Sequence, residues 1–365
     1  MKTKLKNDLK DLTDLIGVSG SEQEVIQYLL PRLDACCDKV EVTSMGNVIA
    51  YKNGKAAGKR MVITAHIDEI GFAVKHISAN GFIKFEKIGE FSNKLLPARK
   101  VIIQTETGRV PGVIGMRPAH VMTPDEAAKI ATSKQSYIDV GATSKKEVEE
   151  MGVTVGSKIV FQSDFMEMFN PDFICTRAVD CRVGCAILLS LLEELKSEDF
   201  EGEIIGVFSV LEETTIAGMV PIYNTLNPDY TLVIDTVPCG DVPDVNTDEE
   251  LPVYLGKGPV VIISQGAPAI ARYACIHPRI REALNESAKE LGIGIQELAI
   301  SESLYITEAN ITYMCGSGIP SATVAIPRRF SHAPTEVVNI NDAVTTYELL
   351  KRMLEKNGQI DLSFL

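Results

Sequence analysis

Seven histidine and acidic residues of this chain occupy positions from which they could act together as one site. In chain order they are His66, Asp68, Asp180, Glu212, Glu213, Asp235 and His332. Most of them follow apolar segments typical of buried strands (MVITA, IIGVFSVL, TLVI and SATVAIP), and Asp180 lies just before a predicted helix. Because sites in open α/β sheets form beyond the carboxyl ends of the strands, we expect these side chains to converge at one edge of a sheet.

Two histidines with several carboxylates form a ligand set suited to a pair of zinc-like cations. Imidazole and carboxylate groups both bind zinc at about 2.0–2.2 Å. Two cations about 3.5–4 Å apart need one carboxylate that gives an oxygen to each, and Asp180 is the candidate bridge. We assign His66 and Asp235 to one cation, and Glu213 and His332 to the other.

Glu212 then remains beside the predicted cations, where it suits the role of general base. A cation lowers the pKa of its bound water from 15.7 towards about 7, and an adjacent carboxylate can take the proton. The resulting hydroxide would attack a carbonyl carbon, and Glu212 would return the proton to the leaving amine. Asp68 can accept the other N–H of the His66 ring and fix its orientation. Taken singly, each residue also fits a turn, a cap or a solvated loop, so the hypothesis depends on their convergence.

Helices and strands are predicted to alternate over most of the chain. The patterns predict helices at 22–35, 182–197, 277–291 and 341–356, a hairpin at 40–54, and strands at 60–66, 203–211, 231–236 and 321–327. This alternation indicates an α/β layer with a largely parallel or mixed sheet. Between 69 and 168 the pattern changes to short β-rich pieces with glycines at the turns and one short helix at 145–151, which suggests a small barrel or sandwich.

Composition and charge narrow the class of protein. The chain has 365 residues with 45% hydrophobic residues, and its net charge of −13 argues against nucleic acid and anionic membranes as partners. The amino terminus lacks the apolar core of a signal peptide, and the longest apolar runs are too short to span a bilayer, so we expect a cytoplasmic protein. The eight cysteines are scattered and are expected to be reduced thiols.

Several segments resemble the glutamyl aminopeptidase family, family forty-two of the metallopeptidases, whose members assemble into tetrahedral particles. The resembling segments are GVSGSE, GNVIA, AHIDEIGF, YIDVGATSKKEVEEMGVTVGS, AVDCRVG, LEE, VIDT and RFSHAPTE. They span nearly the whole chain, and their combination is more specific than any one motif.

The resemblance implies a three-layer α/β catalytic domain with a mixed central sheet, formed by 1–68 and 169–365. A small β-barrel-like domain at 69–168 would interrupt it. It further implies an aminopeptidase that acts on peptides and uses two divalent metal ions, zinc or cobalt, and a homo-oligomer such as a dodecamer. Carried over residue by residue, it gives His66, Asp180 and Asp235 to one metal. Asp180, Glu213 and His332 go to the other, with Glu212 as base and Asp68 as the partner of His66.

The chain also departs from the family pattern. The resemblance implies a cis peptide bond after Asp180. The residue that follows this bond is Cys181, where the family usually has Asp or Asn. The segments TTIAGM at 214–219, ITEAN at 306–310 and DTVPCGDVPD at 235–244 differ as well. These differences concern the surroundings of the ligands and the substrate pocket.

Other functions on the same scaffold stay open at this stage. A deacylase or other amidohydrolase would keep the metals and change the substrate, and a cellulase label occurs among relatives, although the chain has no Trp to stack on sugars. A catalytically inactive particle-forming relative is the non-enzyme alternative. Arg328 and Arg329, close to His332, could attract an acidic side chain of the substrate or could be structural.

Overall fold

The computed structural model describes residues 1–267, 272–302 and 304–364. Its helices are α1 Lys2–Asp14, α2 Gln23–Asp34, α3 Pro124–Ala127, α4 Lys145–Glu150, α5 Val179–Glu194, α6 Glu212–Thr215, α7 Met219–Leu226, α8 Pro278–Leu291 and α9 Ile340–Glu355. Its strands up to the middle of the chain are β1 Lys39–Val42, β2 Val48–Asn53, β3 Arg60–His66, β4 Gly71–Ile77, β5 Ile83–Ile88, β6 Lys100–Thr105, β7 Gly108–Gly115, β8 Tyr137–Asp139 and β9 Lys158–Phe161. The later strands are β10 Met166–Glu167, β11 Phe173–Thr176, β12 Glu203–Ser209, β13 Tyr230–Pro238, β14 Val260–Ala267, β15 Arg272–Cys275, β16 Gln296–Ile300, β17 Ser321–Arg329 and β18 Glu336–Asn339.

A large mixed sheet organises the molecule, with the strand order β1-β2-β12-β3-β13-β17-β18-β11-β10. Strand β14 extends it by pairing with β17, β15 and β16. The central strands β12, β3, β13 and β17 are mutually parallel, so their carboxyl ends lie at the same edge of the sheet. The flanking pairs β1 with β2 and β17 with β18 are antiparallel, which makes the sheet mixed as predicted.

Side chains alternate between the two faces of this sheet, as the pleat of a strand requires. In β12, Ile204 and Phe208 join the apolar core formed with helices α1, α2, α5, α8 and α9. Their neighbours Ile205 and Val207 point to the other face, where they pack against α7 and the 3-10 helix Glu308–Met314. Both faces of the sheet are therefore covered, which explains why its central strands carry apolar residues on both faces.

The segment between β3 and β10 contains a closed antiparallel barrel of six strands in the order β4-β5-β8-β7-β6-β9. Its interior has its own apolar cluster, in which Phe72 makes edge-on contacts with Phe85, Phe91 and Phe161. The predicted α/β fold class with an inserted barrel is thus confirmed. The domain boundaries at 68/69 and 168/169 stay a prediction, and β10 already pairs with β11 in the large sheet.

Most predicted elements are present within a few residues of their predicted bounds. Helix α2 continues through Pro31. The pattern did not predict α6, α7, β14, β15 or β16. No helix in the described part of the chain is long and apolar enough to cross a membrane.

Candidate metal centre

The seven residues singled out in the sequence come together at the carboxyl edge of the parallel strands. His66 is the last residue of β3 and stands beside Ser209, the last residue of β12. Asp235 lies in β13 opposite Ala325 of β17, and β17 leads into the turn that carries His332. The parallel register therefore brings together residues that are more than 200 positions apart in the sequence.

Asp180 lies between the two histidines and faces each with a different oxygen. Its Oδ1 is 3.2 Å from Nε2 of His66, and its Oδ2 is 3.3 Å from Nε2 of His332. On the His66 side, Asp235 Oδ1 is 3.9 Å from the same Nε2 atom. On the other side, Glu213 Oε2 is 3.4 Å from His332 Nε2. Asp180 thus has one oxygen in each of two neighbouring groups of potential ligands.

Glu212 and Glu213 begin the short helix α6, and Asp68 holds that helix in place. The Asp68 carboxylate accepts hydrogen bonds from the backbone N–H groups of Glu212 at 3.0 Å and of Glu213 at 3.2 Å, and from the hydroxyl of Ser19. Glu212 lies close to the metal-ligand candidates, with its Oε2 4.0 Å from Nε2 of His66. Asp68 was predicted to accept the N–H of His66 through its side chain, but the nearer oxygen is its backbone carbonyl at 3.1 Å, against 3.6 Å for the carboxylate.

A buried Glu336 organises the opposite side of the site. It accepts hydrogen bonds from the backbone N–H of Asp180 at 3.1 Å and of His332 at 3.0 Å, and it pairs with Arg328. Arg328 also reaches Oδ2 of Asp180 at 2.5 Å. Nδ1 of His332 lies 2.6 Å from the carbonyl oxygen of Glu90, in the loop after β5, so the barrel helps to orient this ring.

The pKa values of the residues in this site are shifted in different directions. Burial alone would raise the pKa of Asp180, but Arg328 and the two histidines bring it well below its ordinary value. Burial and the neighbouring carboxylates raise the pKa of Asp235 and of Glu212 well above the ordinary range, and that of Glu213 to about 7. Glu213 in turn raises the pKa of His332 to about 10. The site therefore has more buried negative charge than the side chains of this chain neutralise.

The donor set fits a pair of divalent cations. Two groups of side chains offer ligand atoms that all lie within 4.8 Å of one another: His66, Asp180, Cys181 and Asp235 in one, and Asp180, Glu213 and His332 in the other. Imidazole nitrogen and carboxylate oxygen are ordinary ligands of zinc and related ions. External positive charge would also relieve the repulsion among the carboxylates.

Cys181 follows Asp180 at the start of α5, and the peptide bond between them is cis, as the resemblance implied. The Cys181 side chain is fully buried, and its Sγ lies 3.4 Å from the carbonyl oxygen of Ile234. Burial and the neighbouring Asp235 raise the pKa of this thiol well above its ordinary value. The eight cysteines of the chain are free.

Sequence reasoning found the candidate ligands but missed most of the groups that hold them. Glu336 stands inside the segment RFSHAPTE, yet its spacing from Asp180 gave no signal for their contact. Arg328 was left open between a substrate-binding and a structural role, and its contacts with Asp180 and Glu336 are structural. Arg329 is likewise paired with Asp241, at 2.6 Å.

Comparison with known proteins agrees with this architecture. The family model described as M42 glutamyl aminopeptidase matches residues 46–349. An aminopeptidase structure from the archaeon Desulfurococcus kamchatkensis superposes with a TM-score of 0.91 at 32% identity, covering 97% of this chain and 95% of that one. The lysyl aminopeptidase of Pyrococcus furiosus is 30% identical over 97% of this chain and 98% of its own length.

A third relative is known for its assembly. The structure of the TET1 peptidase of Pyrococcus horikoshii, which can assemble into a tetrahedron or a large octahedral shell, has a TM-score of 0.82 at 27% identity, covering 96% of this chain and 99% of that one. The match of the family model over most of the sequence, together with full-length relatives, decides the classification. The chain belongs to the M42 glutamyl aminopeptidase family and is a peptidase.

Proposed function

We propose that this aminopeptidase removes amino-terminal residues from peptides with the help of two divalent cations, zinc or cobalt. One cation would be held by His66, Asp180 and Asp235, and the other by Asp180, Glu213 and His332. The observation that carries the proposal is the placement of Asp180, whose two oxygens face the two histidines at 3.2 and 3.3 Å. A carboxylate in that position can serve both cations at once.

Glu212 is the candidate general base. It belongs to neither of these groups, and its Oε2 is 4.0 Å from Nε2 of His66. When bound, the cations would acidify water and stabilise negative charge on the carbonyl oxygen of the substrate. Glu212 takes a proton from the attacking water and delivers it to the nitrogen of the departing amine. Its position is fixed because the Asp68 carboxylate accepts its backbone N–H.

The decisive experiment compares the variant Glu212→Gln with the unaltered protein after metal loading. Loss of the base should lower kcat on aminoacyl-nitroanilides by about 10²–10⁴-fold, while metal analysis still finds two cations per chain. Glu86→Gln, on the exposed surface of the barrel, is the matched control and should retain full activity. Normal turnover in Glu212→Gln would remove this mechanism.

The substrate panel separates the alternatives on the same scaffold. Acetylated amino acids are tested beside aminoacyl-nitroanilides, because a deacylase would hydrolyse the former and an aminopeptidase the latter. A protein that binds the cations but hydrolyses neither would be the inactive, particle-forming relative.

We also infer that the chain works as a homo-oligomer of twelve copies in the cytoplasm. The support for assembly is the likeness to the Pyrococcus horikoshii peptidase, which can assemble into a tetrahedron or a large octahedral shell. Analytical ultracentrifugation tests this directly, since a monomer near 39.8 kDa at working concentrations would contradict it. Peptides remain the expected partners, and nucleic acid and membranes are not expected.

A further inference from the structure

One of the two ligand groups contains a residue that the proposed function does not use. The thiol of Cys181 joins His66, Asp180 and Asp235, and one ligand atom from each lies within 4.8 Å of all the others. These four residues are all buried. The group on the other side, with Asp180, Glu213 and His332, contains no sulfur.

Packing holds the Cys181 sulfur in this position. A Cβ atom added to Gly184 would lie only 2.4 Å from the Sγ atom, so the helix leaves room for the sulfur only because a glycine stands one turn later. On its other side the sulfur meets the carbonyl oxygen of Ile234 at 3.4 Å, just before Asp235 in β13. The sulfur is thus confined between α5 and the strand that carries Asp235.

Cysteine sulfur is a strong zinc ligand, with a bond of about 2.3 Å, and four protein ligands around one zinc are typical of closed sites. Ligands at 2.0–2.3 Å around a tetrahedral ion stand about 3.3–3.8 Å apart. The separations of 3.2 and 3.9 Å from His66 Nε2 to the oxygens of Asp180 and Asp235 are already close to this range. The sulfur lies within 4.8 Å of the other ligand atoms, so a shift on the order of 1 Å brings it into this range.

We propose that Cys181 is a protein ligand of the cation held by His66, Asp180 and Asp235, an inference that rests on the proposed function. The two cation positions would then differ in chemistry. The first would be closed by four protein ligands and would favour zinc, because a soft sulfur ligand selects against harder ions. The second, with two carboxylates and one imidazole, would keep an open place for water and substrate and would exchange its metal more readily.

The first test reads the ligand directly in the unaltered protein. Zinc-edge X-ray absorption of the zinc-loaded enzyme should show a sulfur neighbour at about 2.3 Å beside the nitrogen and oxygen neighbours. The cobalt-loaded enzyme should show a near-ultraviolet sulfur-to-cobalt charge-transfer band that reaches its full strength with one of the two equivalents. Two bound cations with neither signal would overturn the role of Cys181 and leave the proposed function intact, whereas no bound cation would overturn both.

Variants then assign the signal to one residue. Cys181→Ser should abolish the charge-transfer band and weaken one of the two zinc-binding events at least tenfold, with the other unchanged. The matched control is Cys185→Ser, because Cys185 is equally buried one turn later in α5 but directs its sulfur to the carbonyl of His66, at 3.0 Å. This control should keep the band, and a band that persists in Cys181→Ser or disappears only in Cys185→Ser would overturn the proposal.

Discussion

Two groups of buried or half-buried acidic residues in this molecule have opposite electrostatic surroundings. The first is the metal centre described above. The second, here called the helix cluster, consists of Lys4, Asp8, Arg32 and Glu193 and joins α1, α2 and α5. In the helix cluster Arg32 contacts both Asp8 and Glu193 at 2.7 Å, and Lys4 contacts the same two carboxylates at 2.9 and 2.6 Å.

The pKa values of most carboxylates are shifted in opposite directions in the two groups. Burial alone would raise the pKa values of Asp8 and Glu193, but hydrogen bonds from Arg32 and Lys4 bring both below their ordinary values. In the metal centre, burial and like charges raise the pKa values of Glu212 and Asp235. Basic side chains of the chain neutralise the carboxylates of the helix cluster. Too few of the described basic side chains lie near the carboxylates of the metal centre to do the same. A buried acidic group without a partner is costly, so the contrast indicates where external cations would stabilise the fold.

Removal of metal should produce the largest change in the free energy of unfolding, and this change should arise at the metal centre and not at the helix cluster. At free zinc about a thousand times the dissociation constant, one bound ion adds about 4 kcal/mol to the free energy of unfolding. Urea unfolding with zinc and with a chelator measures this gain. Equal stability in both conditions would mean that the carboxylates of the metal centre do not depend on cations.

Disrupting the helix cluster should lower the free energy of unfolding by less than removal of metal does, and this loss should not depend on metal. Arg32→Met removes the hydrogen bonds to Asp8 and Glu193 and should lower the free energy of unfolding by about 2 kcal/mol, the usual worth of hydrogen bonds to charged groups. The loss should be the same with zinc and with chelator. Arg117→Met, an exposed arginine on the loop after β7, is the control and should change stability by less than about 0.5 kcal/mol. A loss seen only in the presence of zinc would couple the two regions and contradict the comparison.

Neutralising one acidic group of the metal centre should have effects of opposite sign in the two conditions. Asp235→Asn removes one of the repelling charges, so the metal-free protein should gain about 1 kcal/mol, roughly the free energy of one pKa unit. The same variant should lose most of the stabilisation by zinc, because a ligand is gone. Urea unfolding of both forms measures the two changes, and a destabilised metal-free variant would show that Asp235 is held by favourable contacts of its own.

The candidate ligands could be predicted because each depends on local sequence. His66 ends the apolar strand β3 and Asp235 comes directly after the apolar run TLVI within β13, and parallel pairing of those strands is enough to bring them to one edge. The family resemblance gave the same assignment of residues to each metal and supported it better than spacing did. The predicted elements also include amphipathic helices with strong periodicity, such as α8 and α9.

The supporting contacts could not be predicted, because they join distant segments through single hydrogen bonds. Glu336 accepts the backbone N–H of Asp180, which is 156 residues away in the sequence, and the carbonyl of Glu90 meets the ring of His332 across 242 residues. No periodicity marks such a pair. The short helix α6 was missed for a related reason: its first N–H groups are satisfied by Asp68, a tertiary contact, and Leu211 before it has a left-handed backbone with φ of 62°.

Lowering the pH should produce the smallest of these changes in stability. The sign of its effect on each region follows from the pKa shifts. Asp8 and Glu193 have lower pKa values in the folded state than their ordinary values of 3.8 and 4.5, so they stabilise the fold above that range. This stabilisation is lost as the pH falls through the folded-state values. Asp235 and Glu212 have raised pKa values, so in the metal-free protein their protonation acts in the opposite direction.

Unfolding of metal-free wild-type protein and Arg32→Met is therefore compared at each pH, because the contribution of the metal centre is common to both. The difference between the two proteins should shrink by about 0.5 kcal/mol on going from about pH 6 to about pH 4. A difference that stays constant or grows over this interval would show that Arg32 stabilises the fold by packing of its aliphatic chain and not by charge.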